Sequence, residues 1–278
     1  MENALIGFIG GGNMANSLIN GLVDSDFDPA HIWVVDRNPN KLEQLAARFN
    51  VKTSTSAREV VQKTNVVVLG VKPQDMEALC IDIREILSER QTLIVTLAAG
   101  LQTRHYEHWF QAHLPIVRAM PNTPALLRCG ATGLYSNARV NEEQKNLAES
   151  LLRTVGITVW VDHEQEIDSI TALSGSGPAY FFLMMEALQQ GAQKLGLSEK
   201  VAKILTLQTA LGAARMALES ELSLEKLRMK VASKGGTTEK ALGVLENGGL
   251  RELMSKALKA AKDRAVEISH HFDKDKSP

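Results

Sequence analysis

Apolar and polar positions along the chain keep two different rhythms, and the change between them falls near residue 162. Before it, short apolar runs recur: Leu5-Ile6-Gly7-Phe8-Ile9, His31-Ile32-Trp33-Val34-Val35, Asn65-Val66-Val67-Val68-Leu69-Gly70, Leu93-Ile94-Val95-Thr96-Leu97 and Ile116-Val117-Arg118-Ala119-Met120. Apolar runs without alternation predict strands covered on both faces, as in a parallel sheet. Leu18, Ile19 and Leu22, and later Lys41 to Phe49, have helical spacing. Gly130 to Ser136 and Gly156 to Val161 predict two more strands around a helix from Asn141 to Arg153. Asp162-His163-Glu164 breaks the pattern, and no strand is predicted beyond it. Ser174-Gly175-Ser176-Gly177-Pro178 predicts a turn with proline near a helix N-terminus. Helices then follow over Tyr180 to Leu195, Glu199 to Leu218, Leu224 to Val231, Thr238 to Leu245 and Leu250 to Ile268, before a polar, frayed tail from His270 to Pro278. The first helix is too rich in Phe, Leu and Met for one wet face. It is either a buried central helix or an interface helix, and a helical half of this size favours the interface.

The first strand passes directly into Gly10-Gly11-Gly12-Asn13-Met14-Ala15, which fits G-x-G-x-x-A between a strand and a helix, the context of a dinucleotide fingerprint. Gly10 would make the turn, Gly12 would admit a pyrophosphate, and Ala15 would let helix and strand pack closely. The second strand ends in Asp36-Arg37-Asn38. Asp36 would accept a ribose 2′-OH and favour NAD; Arg37 would pair with a 2′-phosphate, or stack on adenine, and favour NADP. The two point opposite ways. Three further strand ends carry small or polar residues where open α/β sheets bind ligands: Val71-Lys72-Pro73, Ala98-Ala99-Gly100, and Pro121-Asn122-Thr123-Pro124-Ala125. The expected architecture is an α/β N-terminal Rossmann-type domain, doubly wound around a mostly parallel sheet (1–162), followed by an all-α dimerisation domain (163–278).

Composition narrows the function classes. The chain has 278 residues, 44% apolar and 23% charged, with a net charge of −1. That balance argues against nucleic acid or an anionic membrane as main partner. Cys80 and Cys129 have neither disulfide-framework nor zinc spacing and read as buried thiols of a reducing compartment. Met1 to Leu5 has no basic leader, and no apolar run reaches the roughly 18 residues of a spanning helix. The expectation is a cytoplasmic protein without a metal site. No Cys–His or Ser–His pairing stands out, so hydride transfer to an already electrophilic substrate, such as a protonated imine, is the chemistry these residues suit.

The helical half contributes Val231-Ala232-Ser233-Lys234-Gly235-Gly236-Thr237-Thr238-Glu239, where two glycines precede a resumed helical pattern at Ala241, Leu242, Val244 and Leu245. N–H groups at such a turn, with hydroxyls from Ser233, Thr237 and Thr238, suit a small carboxylate. An ordinary Thr-capped helix start would read the same on these residues alone.

Gly7-Phe8-Ile9-Gly10-Gly11-Gly12-Asn13-Met14, Val71-Lys72-Pro73, Ala98-Ala99-Gly100, Arg118-Ala119-Met120-Pro121-Asn122-Thr123-Pro124, Ser174-Gly175-Ser176-Gly177-Pro178-Ala179-Tyr180 and Gly235-Gly236-Thr237-Thr238 together resemble, in order, the motifs of pyrroline-5-carboxylate reductases. The resemblance implies reduction of L-1-pyrroline-5-carboxylate to L-proline by NADPH, with NADH as the alternative. It implies an intertwined helical homodimer, in some members a larger ring, with substrate where helices of two subunits meet. It implies cofactor contacts from Gly10, Gly12, Asn13, Met14, Arg37, Val71, Lys72, Pro73, Ala98, Ala99, Gly100 and Asn122. Ser233, Gly236, Thr237 and Thr238 would hold the substrate, with Thr238 the catalytic residue beside the ring nitrogen. The chain departs from the family at Lys234, where many members have proline, and over Glu221 to Lys230, which lacks the usual His-Pro and Asp features. Among competitors, a 3-hydroxyacid dehydrogenase would need a lysine where Phe181 stands, and a dinucleotide sensor without chemistry would not need the second glycine turn.

Overall fold

A computed structural model describes residues 4–88 and 90–273. The first part alternates strand and helix: β1 (Ile6–Ile9), α1 (Asn13–Val23), β2 (Ile32–Val35), α2 (Pro39–Phe49), β3 (Lys52–Ser54), α3 (Ala57–Lys63), β4 (Val66–Leu69), α4 (Pro73–Ser88), β5 (Leu93–Thr96), α5 (Thr103–Phe110) and β6 (Ile116–Met120). It closes with β7 (Gly130–Ser136), α6 (Glu142–Arg153) and β8 (Gly156–Trp160). The eight strands form one sheet in the order β3-β2-β1-β4-β5-β6-β7-β8. Every neighbouring pair is parallel except β6 with β7. Reversal of strand order at β1 makes the sheet doubly wound, with helices on both faces.

The period of two along each strand divides its side chains between two cores. Ile6, Phe8, Val66, Val68, Leu93, Val95, Val117 and Ala119 meet Leu18, Ile19 and Leu22 of α1, Leu42 and Leu45 of α2, and Leu151 and Leu152 of α6. Ile9, Val67, Leu69, Ile94 and Ile116 meet Val60 and Val61 of α3, Met76, Cys80, Ile83 and Leu87 of α4, and Tyr106, Trp109 and Phe110 of α5. The continuous apolar runs follow from this: each strand is buried on both sides.

Four elements of this part carry no expectation from the sequence: β3, α3, α4 and α5. Lys52-Thr53-Ser54 is short and polar, and it lies beside β2 at the sheet edge. In α4, Met76, Cys80, Ile83 and Leu87 do keep helical spacing, and Pro73 occupies its first turn. One thiol differs from expectation. Cys80 is buried, and burial pushes its thiol well above the ordinary range, whereas Cys129 is exposed because it follows a surface turn outside both cores. The C-terminal helix also continues past Ile268 to Asp273, whose carboxylate pairs with Arg104 at 2.7 Å and His105 at 3.1 Å of α5. The rest of the predicted frayed tail, 274–278, lies outside the described residues.

On the second face of β6, Arg118 is 1% exposed. Its guanidinium donates to Asp168 at 2.7 Å and lies 3.5 Å from Glu164. Asp168 belongs to α7 (Glu166–Ile170), which runs into a π-helical turn over Thr171–Gly175. That turn replaces the open loop expected at Ser174-Gly175. Glu164 also accepts the Thr103 N–H at 2.7 Å and its hydroxyl at 2.9 Å, capping α5 from a distance of 61 residues. These contacts keep the chain on the sheet beyond β8. By packing, one compact unit runs through Ser176 and takes back the stretch from Ala260 onward; the other is Gly177–Lys259.

The second unit holds α8 (Gly177–Lys194), α9 (Glu199–Leu218), α10 (Leu224–Val231), α11 (Thr237–Asn247) and the first part of α12 (Leu250–Asp273). Gly177 and Ala202 are the buried residues of α8 to α11, while Phe181, Phe182, Leu183, Leu188 and Leu218 are 62 to 83% exposed. A groove of about 540 Å3 between α8 and α9 is lined by Phe182, Met185, Gln189 and Leu207. Among the described residues, no helix is long and apolar enough to cross a membrane. Replacing Arg118 by Met leaves Asp168 and Glu164 buried without their cation. Urea unfolding followed by Trp109 fluorescence should show about 3–5 kcal/mol lost, and a loss under about 1 kcal/mol would show the cluster to be neutral for stability.

Candidate active site

A cleft of about 820 Å3 opens at the carboxyl ends of β1, β2 and β4. Gly10 and Gly12 border it for different reasons. Gly10 sits at φ +108°, its N–H donates to the Val35 carbonyl at 2.8 Å, and a β-carbon there would lie 2.8 Å from the Gly70 carbonyl oxygen. Glycine is needed to thread the chain between two strands. Gly12 has an ordinary backbone conformation and nothing within 4 Å of where a β-carbon would project. It is the N-cap of α1, no side chain caps that end, and Asn13 and Met14 form its first turn. Packing does not require glycine there; open space before an uncapped, partly positive helix end does. A pyrophosphate fits that space and that charge.

The remaining cleft residues come from the segments after β2, β3 and β4 and from the helices α2, α3 and α4 that follow them. Asp36 is turned back into the glycine loop: Oδ2 accepts the Gly11 N–H at 3.0 Å, Oδ1 accepts the Asn38 N–H at 2.9 Å, and Lys41 stands 3.5 Å away. The next residue, Arg37, is 84% exposed and pairs across the cleft with Asp75 of α4 at 3.7 Å. Val71 and Lys72 line the wall after β4, and Pro73 starts α4 behind them. Thr55, Ser56, Ala57, Arg58 and Asp82 complete the lining, none of them picked out from the sequence. Their signal was available: Ser56-Ala57-Arg58-Glu59 has the S-x-x-E spacing of a helix start, and Ser56 does cap Glu59 at 3.3 Å. Arg58 is tied to the Asp82 carbonyl at 2.6 Å and to Glu85 at 3.1 Å.

Ala98-Ala99-Gly100 and Asn122 follow β5 and β6, farther along the same sheet edge, and do not line this cleft. Gly100 sits at φ +79°, and a β-carbon would run into Ile268 of α12. Its smallness is used by a helix. Asn122 is buried; its amide donates to the Ser174 carbonyl at 3.0 Å and accepts the Ala131 N–H at 2.9 Å, joining the π-helical turn to β7.

The second glycine turn lies in the helical unit, between α10 and α11. Arg228 of α10 and Arg251 of α12 grip Glu246 of α11 at 2.8 and 2.7 Å, fixing the helices around the loop. Gly235, at φ +76°, donates to Glu239 at 2.6 Å, and the Gly236 N–H donates to the Ser233 carbonyl at 3.0 Å. Those two donors are therefore spent inside the loop. The free ones belong to the first turn of α11, whose N-cap Gly236 offers no side-chain cap. A side chain at Gly236 would collide with the Ser233 hydroxyl. Thr237 is exposed and Thr238 half-buried beside it.

A doubly wound sheet with a glycine-led, uncapped helix at its switch point is the architecture of a dinucleotide-binding domain, and the chain also has a helical unit with an anion-sized turn of its own. Residues 5–100 match the family model for NADP oxidoreductase, coenzyme F420-dependent, and residues 164–268 match that for pyrroline-5-carboxylate reductase dimerisation. A pyrroline-5-carboxylate reductase of Pseudomonas aeruginosa is 47% identical over 98% of this chain and 99% of its own length. The structure of a pyrroline-5-carboxylate reductase from Coxiella burnetii superposes with a TM-score of 0.93 at 51% identity, covering 96% of this chain and 98% of that one. A Plasmodium falciparum pyrroline carboxylate reductase with NADP bound gives 0.85 at 28% identity, over 97% and 99%. The chain belongs to the pyrroline-5-carboxylate reductase family.

The two cleft glycines separate fold from binding. Gly12→Val should melt like the parent and lose dinucleotide binding in a fluorescence titration. Gly10→Ala should lose stability, by about 1–3 kcal/mol for the strained backbone alone. Unchanged titration by a folded Gly12→Val variant would move the phosphate site elsewhere.

Proposed function

We propose that this protein reduces L-1-pyrroline-5-carboxylate to L-proline, with NADPH as the main reductant and NADH as the alternative. The observation that carries the reading is a pair of glycine-led helix N-termini without side-chain caps, Gly12 of α1 and Gly236 of α11, one in each unit. The first suits a pyrophosphate and the second a carboxylate. Near full-length relationship to the Pseudomonas protein supports the same activity.

In this reading the substrate carboxylate sits on the first-turn N–H groups of α11 and the hydroxyls of Ser233 and Thr237. The reduced nicotinamide, when bound, supplies a hydride to the C=N carbon. The ring nitrogen enters already protonated, so hydride addition leaves it as the neutral amine of proline; Thr238, a poor acid, holds that nitrogen by hydrogen bonding. Gly10, Gly12, Asn13 and Met14 would hold the pyrophosphate, and Val71, Lys72, Pro73, Ala98, Ala99, Gly100 and Asn122 the rest of the cofactor. Asn122 would do so while bridging Ser174 and Ala131, with one amide proton to spare. Arg37 would meet the 2′-phosphate. Asp36 does not oppose it as strongly as its type suggests, since both its oxygens already accept backbone N–H groups.

The functional border is placed at 162/163, so that the dimerisation match at 164–268 falls wholly in the second domain. The assembly is a homodimer through the helical domain, with a ring of dimers as the larger form, in a cytoplasmic setting compatible with two free thiols. Purified protein given pyrroline-5-carboxylate, with NADPH and NADH side by side, tests the activity directly; absence of proline with either nucleotide would end it. Thr238→Ala should lower kcat/KM by roughly ten- to a thousand-fold, about 1.4–4 kcal/mol, with NADPH affinity kept. Sedimentation should find no active monomer at assay concentration; an active monomer would leave the exposed apolar helices without explanation.

A further inference from the structure

We propose that Asp75 is a specificity-determining residue: by holding Arg37 across the cleft, its carboxylate restrains the preference for a 2′-phosphorylated dinucleotide. The inference rests on the cofactor reading above. Arg37 projects from the loop after β2 and is 84% exposed; Asp75, 40% exposed, lies in the first turn of α4 at 3.7 Å. Both line the same cleft, which carries four basic side chains, Arg37, Lys41, Arg58 and Lys72, against three carboxylates, Asp36, Asp75 and Asp82.

The four cations are not equally available. Lys41 stands by Asp36, and Arg58 is tied to Asp82 and Glu85. The three acids differ as well. Asp36 is committed to two backbone N–H groups, and Asp82 meets, at 3.6 Å, an arginine already held by the Asp82 carbonyl and Glu85. Asp75 is bound only through an exposed ion pair, and such pairs exchange readily because water screens them. A phosphate that takes Arg37 must displace one carboxylate and then sit near it. An unphosphorylated ribose meets neither cost. Asp75 therefore acts on one cofactor and not the other, a repulsive element in specificity of a kind that attraction alone would miss. Asp36, the acid that sequence position singles out, is the wrong one to change.

The test is a double-mutant cycle on the full-length protein, reading dissociation constants of NADPH and NADH by fluorescence titration. Asp75→Asn keeps the side-chain shape and the helix start while removing the charge. It should move the NADH-to-NADPH ratio of dissociation constants roughly two- to tenfold toward NADPH, and less so at high salt. In an Arg37→Ala background the same change should move the ratio less than about twofold. A ratio unmoved by Asp75→Asn, or moved equally with and without Arg37, overturns the proposal. Failure of the cofactor reading itself looks different, since the parent protein would then bind neither nucleotide.

Discussion

Arg118 carries a full charge into the face of a sheet whose other inward side chains are nearly all apolar. Desolvating a guanidinium is expensive, and the protein offsets the cost with the carboxylates of Asp168 and Glu164, although Nε and one terminal nitrogen of Arg118 stay buried without a hydrogen bond. Burial pushes the Tyr106 phenol, hydrogen-bonded to Thr96, above its ordinary range, which keeps it neutral. The arrangement acts as a constraint on the chain. Because Asp168 and Glu164 must return to β6, α7 and the π-helical turn are drawn onto the sheet, and α5 receives its cap. A hydrophobic residue at 118 could fill the volume, but it would not specify which segment returns.

Beyond that anchor β6 ends at Met120, and two residues later Asn122 takes hold of Ser174 in the π-helical turn through its amide. Arg118 on β6 and Asn122 just beyond it thus hold two points of the connection toward the helical unit, Asp168 before the turn and Ser174 within it. π-helical turns are costly and cluster at functional positions. Here the cost coincides with the Ser-Gly-Ser-Gly-Pro segment, just before α8. Position is preserved by polar contacts, while the glycine-led N-termini of α1 and α11 are left without side-chain caps. A protein selected for stability alone would put Ser, Thr or Asp at Gly12, where a β-carbon has open space, a cap worth about 0.5–2 kcal/mol.

What the sequence made legible follows from which signals are local. Strands buried on both faces are continuous apolar runs, and the five central parallel strands were readable within a residue or two. The edge strand Lys52–Ser54 was not, since its neighbours on one side are solvent and its residues polar. The helices Glu199–Leu218 and Leu224–Val231 begin at Ser198 and Ser223, serines that cap in the structure, and their ends agree with the pattern. At the site, the glycine turns were visible because they need particular residues at fixed spacing. The role of Asp36 was not, because a carboxylate that reads a ribose and one that braces its own loop look alike in one dimension. Gly100 is the same kind of case: a small residue predicts close approach, but only the fold says that Ile268 is what approaches. Arg118 was read as one of several residues in a strand, for its partners lie 46 and 50 positions away.

The helical unit shows the opposite economy. The first unit has two apolar cores, whereas α8 to α11 leave most of their large apolar side chains in water, with Gly177 and Ala202 as their buried residues. Helix α9 has apolar residues all round, the pattern of a helix meant to be surrounded. Intrinsic propensity can keep such helices formed, yet helical stability in proteins comes mostly from packing. For a monomer this would be a large unrecovered cost; for a dimer it is the interface, and the core of the second domain is then built from two chains. The carboxylate-sized turn between α10 and α11 lies in that domain. On the proposed reading, its geometry is tied to association, and the affinity of the loop for substrate would be linked to the stability of the oligomer: whatever binds the assembled form alone also strengthens the assembly.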